Sequence, residues 1–329
     1  MNNFSYIEVG KIGFELDIDK DIKNEFLKRI YLYETSNLMD IVSIKCKRKK
    51  NISYTNEEFL KRQEPIISEE SYYREIYDLG VFKYNRKNKI LEVSYENSQR
   101  YNYNSFEVVV DTIFQFIYLI MIDFDMLPLH ASVVKKDDYG IIIMGNSGAG
   151  KSTLQMTLLQ MGFDFFADDV IFLDSKANLF CSGEIISACT KNTIDILSDC
   201  FNKKIIYNEY SDGYKNFIRY PNNNYNKMKL KPIMLILPMV GDEDLYCLEK
   251  ICNMDAIVKL VQLTISSRFS QEIQLKYMKR LKTLVEIVDS YYFKREKIYI
   301  KNGYIKTCNE LNKLIDKKVV YEKSRNRRD

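Results

Sequence analysis

The stretch IIIMGNSGAGKSTLQMTLLQMGFDFFADD, residues 141–169, decides how the rest of this 329-residue chain is read. It opens on an apolar run, Ile141 to Met144, of the kind that forms a buried strand. Glycines 145, 148 and 150 follow, and from Lys151 the apolar residues Leu154, Leu158 and Met161 fall on one helical face. Gly162 fits the C-cap of that helix. The segment GNSGAGKS, residues 145–152, matches G-x-x-x-x-G-K-[ST] in full, in the strand–loop–helix setting the motif needs. Glycines let backbone N–H groups curl around phosphate oxygens, and the helix N-terminus adds unpaired donors and a favourable dipole. On this reading Gly145, Asn146, Ser147, Gly148, Ala149, Gly150, Lys151, Ser152 and Thr153 make a nucleotide-binding loop of the Walker A type. Lys151 reaches the β- and γ-phosphates of ATP, and Ser152 offers its hydroxyl to Mg2+.

Working outward towards the C-terminus, two adjacent acids, Asp168 and Asp169, close the stretch. A helix over 152–161 rises about 15 Å, and a strand over 163–167 runs back about 16 Å. That crossover makes 163–167 parallel to 141–144 and brings Asp168 and Asp169 level with the loop, at the sheet edge where open α/β folds bind ligands. Two acids at a buried strand end call for a cation, so Asp168 or Asp169 is the expected metal acid.

Outward in the other direction lies LPLHASVV, residues 127–134, with the only histidine of the chain. A hairpin turning on KKDDYG (135–140), with 135 opposite 140, sets Val133 against Ile142, Ala131 against Met144 and His130 against Gly145. His130 is then expected beside the first loop glycine.

The remainder of the chain bounds the answer. Apolar residues are 46% and charged residues 29%, with a net charge of +4, which fits an ordinary soluble globular protein and gives no nucleic-acid signature. Seven cysteines with no CxxC pair and one histidine build no zinc site. With no leader-like opening, they lead us to expect a reducing cytoplasm. The most apolar stretch, 106–127, has its longest uninterrupted run between Phe116 and Ile122, short of the roughly 18–20 residues of a membrane span. It reads as a buried helix capped by Ser105 and ended by Pro128. Residues 1–104 are strand-rich, with strands within 7–18 and 39–46 and a hairpin over 81–95. The expected organisation is a β-rich N-terminal domain over 1–104 and an α/β domain over 105–329. In the second domain we expect a further strand at 233–238, a helix at 271–288, a strand at 291–300, a helix at 307–317 and a basic tail from about 318.

The residues LHASVV and GIIIMGNSGAGKSTLQMTLLQMGFDFFADDV resemble the catalytic domain of HPr kinase/phosphorylase and its shorter HPr-kinase-like relatives. More distantly they are similar to ATP-dependent phosphoenolpyruvate carboxykinase. In that family a histidine lies 21 residues before the loop lysine and an Asp pair 17 and 18 after it, the spacings of His130, Lys151, Asp168 and Asp169. The resemblance covers about 129–175, is weaker over 233–317 and is absent over 1–104. It implies an α/β P-loop kinase core of the HPr kinase/phosphoenolpyruvate carboxykinase type that takes Mg2+ and ATP. It implies that Asp169 is the base for an acceptor hydroxyl and that His130 orients it. Lys151 would hold the phosphates, while Ser152 and Asp168 would serve the metal. The chain departs from the family at Thr153, where HPr kinase has Glu. It departs again at GEIIS (183–187), where Glu184 has no following Arg. Arg219 and Arg268 are candidate cations for the departing phosphate. The expected activity is therefore phosphoryl transfer to a serine or serine-like hydroxyl of a peptide, protein or small molecule, with homo-oligomerisation open. An ATP-binding regulatory or scaffold protein, or a P-loop ATP hydrolase, stands as the alternative.

Overall fold

The computed structural model describes residues 5–33, 40–50, 52, 65–96, 105–184, 186–201, 209–211, 216–220, 228–241, 246–264, 269–296 and 301–326. Contacts divide the chain into Met1–Asp125 and Met126–Asp329.

The first unit runs β1 (Ser5–Val9), β2 (Ile12–Ile18), α1 (Lys20–Arg29), β3 (Asp40–Arg48), β4 (Ile66–Ile67), β5 (Ser71–Ile76), β6 (Gly80–Asn85), β7 (Ile90–Tyr95) and α2 (Ser105–Asp123). Its strands form one seven-stranded sheet in the order β1-β2-β3-β7-β6-β5-β4. The stretch 7–18 is a hairpin that turns through Gly10 at φ 59, a conformation glycine adopts without strain. The 81–95 hairpin forms as expected, with Asn85 opposite Ile90.

The apolar helix α2 belongs to this unit, so the expected boundary at 104/105 falls instead after Asp125. The reason is packing. Phe114 meets Phe26 of α1 and Phe116 stacks on Phe82 of β6, with ring centres 5.4 and 5.9 Å apart. Asp123, the last helical residue, accepts from the Tyr72 hydroxyl at 2.5 Å and from Arg86 Nη2 at 2.7 Å. By length and composition α2 could cross a membrane, yet most of it is buried within the protein, as expected from its punctuated sequence. Pro128 does not end it: the helix stops at Asp123, a turn follows through Asp125 at φ 60, and Pro128 lies inside the next strand.

The second unit opens with β8 (Leu127–His130), β9 (Ser132–Lys136), β10 (Tyr139–Ile143), α3 (Lys151–Gln160), β11 (Asp164–Ala167), β12 (Val170–Leu173) and β13 (Leu179–Cys181). It continues through β14 (Ile186–Cys189), α4 (Lys191–Phe201), β15 (Glu209–Ser211), β16 (Asn216–Arg219) and β17 (Lys229–Gly241). It closes with β18 (Cys247–Lys250), α5 (Asn253–Thr264), α6 (Gln271–Ile287), β19 (Asp289–Glu296) and α7 (Lys301–Asn326). The main sheet has nine strands, and β14-β16-β15 form a small three-stranded one. β10, β17 and β19 run parallel. β11 is antiparallel to β9, which is antiparallel to β10, so β11 is parallel to β10 with one strand between them. The short crossover read from the sequence therefore has the expected direction but not direct adjacency.

Helices α3 and α7 share one apolar core with this sheet. Leu154 and Leu158 pack with Ile141, Ile143 and Ile236, and with Leu311 and Ile315 of α7. That packing extends α7 well past 307–317. The basic tail expected from about 318 is helical through Asn326, with Lys318 held by Asp289 and Lys323 by Asp137, each at 2.7 Å.

Candidate active site

The phosphate loop grows out of the end of β10, where the Met144 N–H still donates to Ile236 O at 3.0 Å. Gly148 and Gly150 take φ 78 and φ 100, the left-handed region in which a side chain is strained. Gly150 is tight for a second reason: a Cβ there would lie 3.1 Å from Nε of Arg295. Lys151 opens α3 and folds back, its Nζ donating to Gly145 O at 2.8 Å and Asn146 O at 3.4 Å. Burial pushes the Lys151 pKa down, against the pull of Asp168 and Asp169. Ser152 sits in the same first turn, partly buried. Thr153 turns to α4 instead, where its hydroxyl lies 3.0 Å from that of Thr193.

The expected hairpin register holds from Gly140↔Lys135 through Ile142↔Val133 to Ile143↔Ser132, and there it ends. Ala131 and His130 do not continue opposite Met144 and Gly145. The Ala131 N–H donates to Asp169 O at 3.1 Å, and His130 pairs with Val170 across β8 and β12. His130 thus reaches the site through Asp169. Its Nδ1 lies 2.9 Å from Asp169 Oδ1 and 2.9 Å from Asp169 O. The hydrogen bond to Asp169 raises the His130 pKa above 6.5, with burial opposing it.

Asp169 is at φ 68, a conformation that Asp tolerates better than most residues. The two acids end up in different surroundings. The Asp169 side chain is 68% exposed. Asp168 is 8% exposed, and its oxygens accept from the hydroxyls of Ser132 (β9) and Ser187 (β14) at 2.5 and 2.6 Å. Burial raises the Asp168 pKa, while the two serines work in the opposite direction. Gln155 of α3, also buried, joins this group by donating to Ala167 O at 2.8 Å. Asp168 therefore ties the end of β11 to β9 and β14. Replacing it with alanine would leave the buried Ser132 hydroxyl without its acceptor, at a cost of about 1–3 kcal/mol, and would leave Ser187 with the longer bond to Gln155 Oε1 at 3.3 Å. We expect Asp168→Ala to lower the thermal midpoint clearly and Asp168→Asn to lower it much less. Calorimetric unfolding of both variants checks this.

Of the other residues singled out in the sequence, Glu184 is buried, and its segment 183–187 supplies Ser187 to Asp168. Arg219 pairs through its backbone with Ile186 on the small sheet. Arg268 lies outside the described residues. A different cation borders the loop: Arg295, near the end of β19, donates from Nη2 to Gly148 O at 3.4 Å. No local motif announces it, nor Ser132, Ser187 or Gln155. Among the described residues no group of three or more His, Cys, Asp or Glu side chains comes together to hold a metal ion. The oxygen donors near the loop, the Ser152 hydroxyl and the acid pair, suit Mg2+. That ion usually keeps several waters and takes one or two protein ligands besides substrate phosphates.

Residues 125–198 match the family model of the HPr serine kinase C-terminal domain, the family that the loop and its flanking residues resemble. The match spans His130, the whole phosphate loop, the acid pair and Ser187. No curated protein matches the chain. Among solved structures, the Hpr(Ser) kinase/phosphatase from Coxiella burnetii is similar at 15% identity, over 60% of this chain and 96% of that one, with a TM-score of 0.28.

Proposed function

We propose that the second unit is a kinase that moves the γ-phosphoryl of Mg-ATP to a serine or serine-like hydroxyl of a peptide, protein or small molecule. The observation that carries this reading is the exposed Asp169 carboxylate, held 2.9 Å from His130 Nδ1 on the β9 flank of a phosphate loop. A phosphoryl transfer needs positioning, charge neutralisation and an acceptor for one proton. Loop N–H groups and Lys151 hold the donor. When bound, Mg2+ offsets charge on the β- and γ-oxygens. Ser152 would hold it together with phosphate oxygens and water, and the buried Asp168 would add negative charge from beneath. Asp169 takes the acceptor proton as the new O–P bond forms and the bond to ADP breaks. His130 aims Asp169 through Nδ1 and leaves Nε2 to donate to the transferring group. In this reading the protein works in the cytoplasm, where ATP is plentiful. The free thiols of Cys46, Cys181, Cys189, Cys247, Cys252 and Cys308 fit a reducing compartment.

The direct test is incubation with γ-labelled ATP and with serine, seryl peptides and mixed proteins as acceptors. Label in an acid-stable phosphoester, lost in Asp169→Asn, is the expected result. Free phosphate alone would identify a hydrolase, and tight ADP binding without turnover a regulatory ATP-binding protein.

The pH dependence is a second test. His130 titrates above its ordinary 6.5, so the imidazolium and its contribution to the fold are fully present below pH 6.5 and lost as pH rises through the raised value. Loss of the Nε2 proton removes a donor from the transferring group. We expect kcat/KM to fall on that alkaline limb, and His130→Gln to lower the rate and abolish the limb. A pH–rate profile that is identical in the two proteins would remove His130 from the mechanism.

A further inference from the structure

Resting on the kinase reading, we infer that Gln155 is a positioning residue for the transfer: its buried amide fixes the distance between the loop lysine and the Asp169 carboxylate. These two groups stand on different elements. Lys151 opens α3, and Asp169 sits at the corner between β11 and β12. Gln155 lies four residues after Lys151, so the two share one helix face about 6 Å apart along the axis. The Gln155 side chain is fully buried. It spans from α3 to the sheet, with Nε2 donating to Ala167 O at 2.8 Å and to Val133 O at 3.5 Å. Its Oε1 lies 3.3 Å from the hydroxyl of Ser187, the same hydroxyl that donates to Asp168 Oδ2 at 2.6 Å.

The backbone that carries the base needs such an anchor. The ladder between β11 and β9 slips between Phe165 and Ala167. A slip of this kind bends the strand and re-aims the residues beyond it, which here are the acid pair. Two residues on, Asp169 takes φ 68 while the Val170 N–H donates to Asp168 O at 2.9 Å. A three-residue turn with positive φ at its centre is rare and strained, and it persists only where its surroundings hold it. Three sets of bonds do so. The Ala131 N–H donates to Asp169 O, the hydroxyls of Ser132 and Ser187 donate to the Asp168 carboxylate, and the Gln155 amide donates to Ala167 O. Of these, the Gln155 bond comes from the helix that carries Lys151. An amide at a fully buried helical position is costly unless its hydrogen bonds are made, and its shortest bond goes to the residue directly before the acid pair. Without that bond the corner loses its tie to α3, and a misplacement of about 1 Å can cost on the order of 10²-fold in rate.

The experiment uses the full chain with Gln155→Met, which keeps the length and bulk of the side chain and removes the donor. Well below its unfolding midpoint, we expect single-turnover transfer to fall about tenfold or more, with the ADP Kd and the acceptor KM within about twofold of normal. A second readout does not depend on turnover. His130 is the only histidine of the chain, so its ring C–H signal can be followed alone in a proton NMR titration. The hydrogen bond to Asp169 holds the His130 pKa above 6.5, against burial and Lys151. A carboxylate that drifts from Nδ1 lets that value fall. We expect Gln155→Met to move the His130 titration in the same direction as Asp169→Asn, which marks the full loss. Gln155→Asn, whose amide is a methylene too short to reach Ala167 O, should act likewise and serves if the methionine variant folds poorly. A normal rate with a normal His130 titration overturns the inference, even if the thermal midpoint drops. A slower rate with the titration unmoved also overturns it, because the carboxylate has then stayed in place. ADP binding weakened as much as the rate overturns it too, by putting the damage in the loop. If the unaltered protein transfers phosphoryl to no acceptor, the kinase reading itself fails, while the titration still decides whether Gln155 holds Asp169 against His130.

Discussion

Asp169→Asn is expected to slow phosphoryl transfer by about 10²–10⁴-fold, the usual contribution of a positioned general base, and to leave ADP binding within about twofold of normal, a change of some 0.4 kcal/mol. The substitution keeps almost every physical feature of the site. Asparagine has nearly the same shape, accepts the left-handed backbone at φ 68 as readily as aspartate, and still offers an oxygen to His130 Nδ1. The backbone bonds through Asp169 O, to the Ala131 N–H and to His130, do not depend on the side chain. The one loss is the capacity to take a proton. A large fall in kcat with unchanged ADP affinity and an unchanged thermal midpoint identifies the base. A wild-type rate would send the role elsewhere. The contrast with Asp168 sharpens the test. Removing the buried Asp168 carboxylate should register mainly in stability, because its oxygens serve Ser132 and Ser187. Two neighbouring acids then separate by readout, one in turnover and one in unfolding.

The sequence shows some of these features and conceals others, and the division has a physical basis. The loop is legible because its function is a backbone shape. Gly148 and Gly150 occur where φ is positive, and the lysine must come directly after them. The nearness of His130 to the loop was legible through the hairpin, whose turn chemistry sets the register near residue 137. Its true partner was not, because the chain leaves the β9 ladder at Ala131 and pairs with β12 instead, a switch no local pattern encodes. Arg295 is hidden by distance: 147 positions separate it from the Gly148 carbonyl it meets, and only the parallel pairing of β17 with β19 brings them to one edge. Ser132 and Ser187 are hidden by commonness, since a serine becomes informative only when it is seen on a buried carboxylate. The helix boundaries erred where tertiary contacts overrode composition. α7 continues through its lysines because aspartates at 137 and 289 receive them, and its own Asp316 receives Lys136 of β9. α2 packs within the first unit because Phe26 of α1 and Phe82 of β6 receive its aromatic face.

The second large effect is expected at Lys151, where alanine should weaken ADP binding by about 10–100-fold or more, the scale of one lost charge-assisted hydrogen bond at about 1.5–3 kcal/mol, and should abolish transfer. The ammonium is folded onto Gly145 O and Asn146 O. It braces the loop and keeps a positive charge inside it. That placement is costly for the charge itself, since burial lowers the Lys151 pKa despite the two aspartates nearby. Phosphate oxygens entering the loop would relieve this cost, so the fold itself positions the charge that meets them. Truncation to alanine removes the phosphate contact and also relieves the desolvation. It also removes the bonds to Gly145 O and Asn146 O, so loss and relief offset each other and the fold should change little in stability while the ligand is lost, unlike the outcome expected for Asp168→Ala. Lys151→Arg should not restore binding. A planar fork cannot take the place of a compact ammonium among loop carbonyls, least of all with the Arg295 guanidinium already packed against Gly150. Titration with ADP, unfolding and single-turnover transfer on the same three proteins decide the matter. If Lys151→Ala binds ADP normally yet transfers nothing, the backbone N–H groups alone carry ground-state binding, and the lysine acts only on charge that develops during transfer.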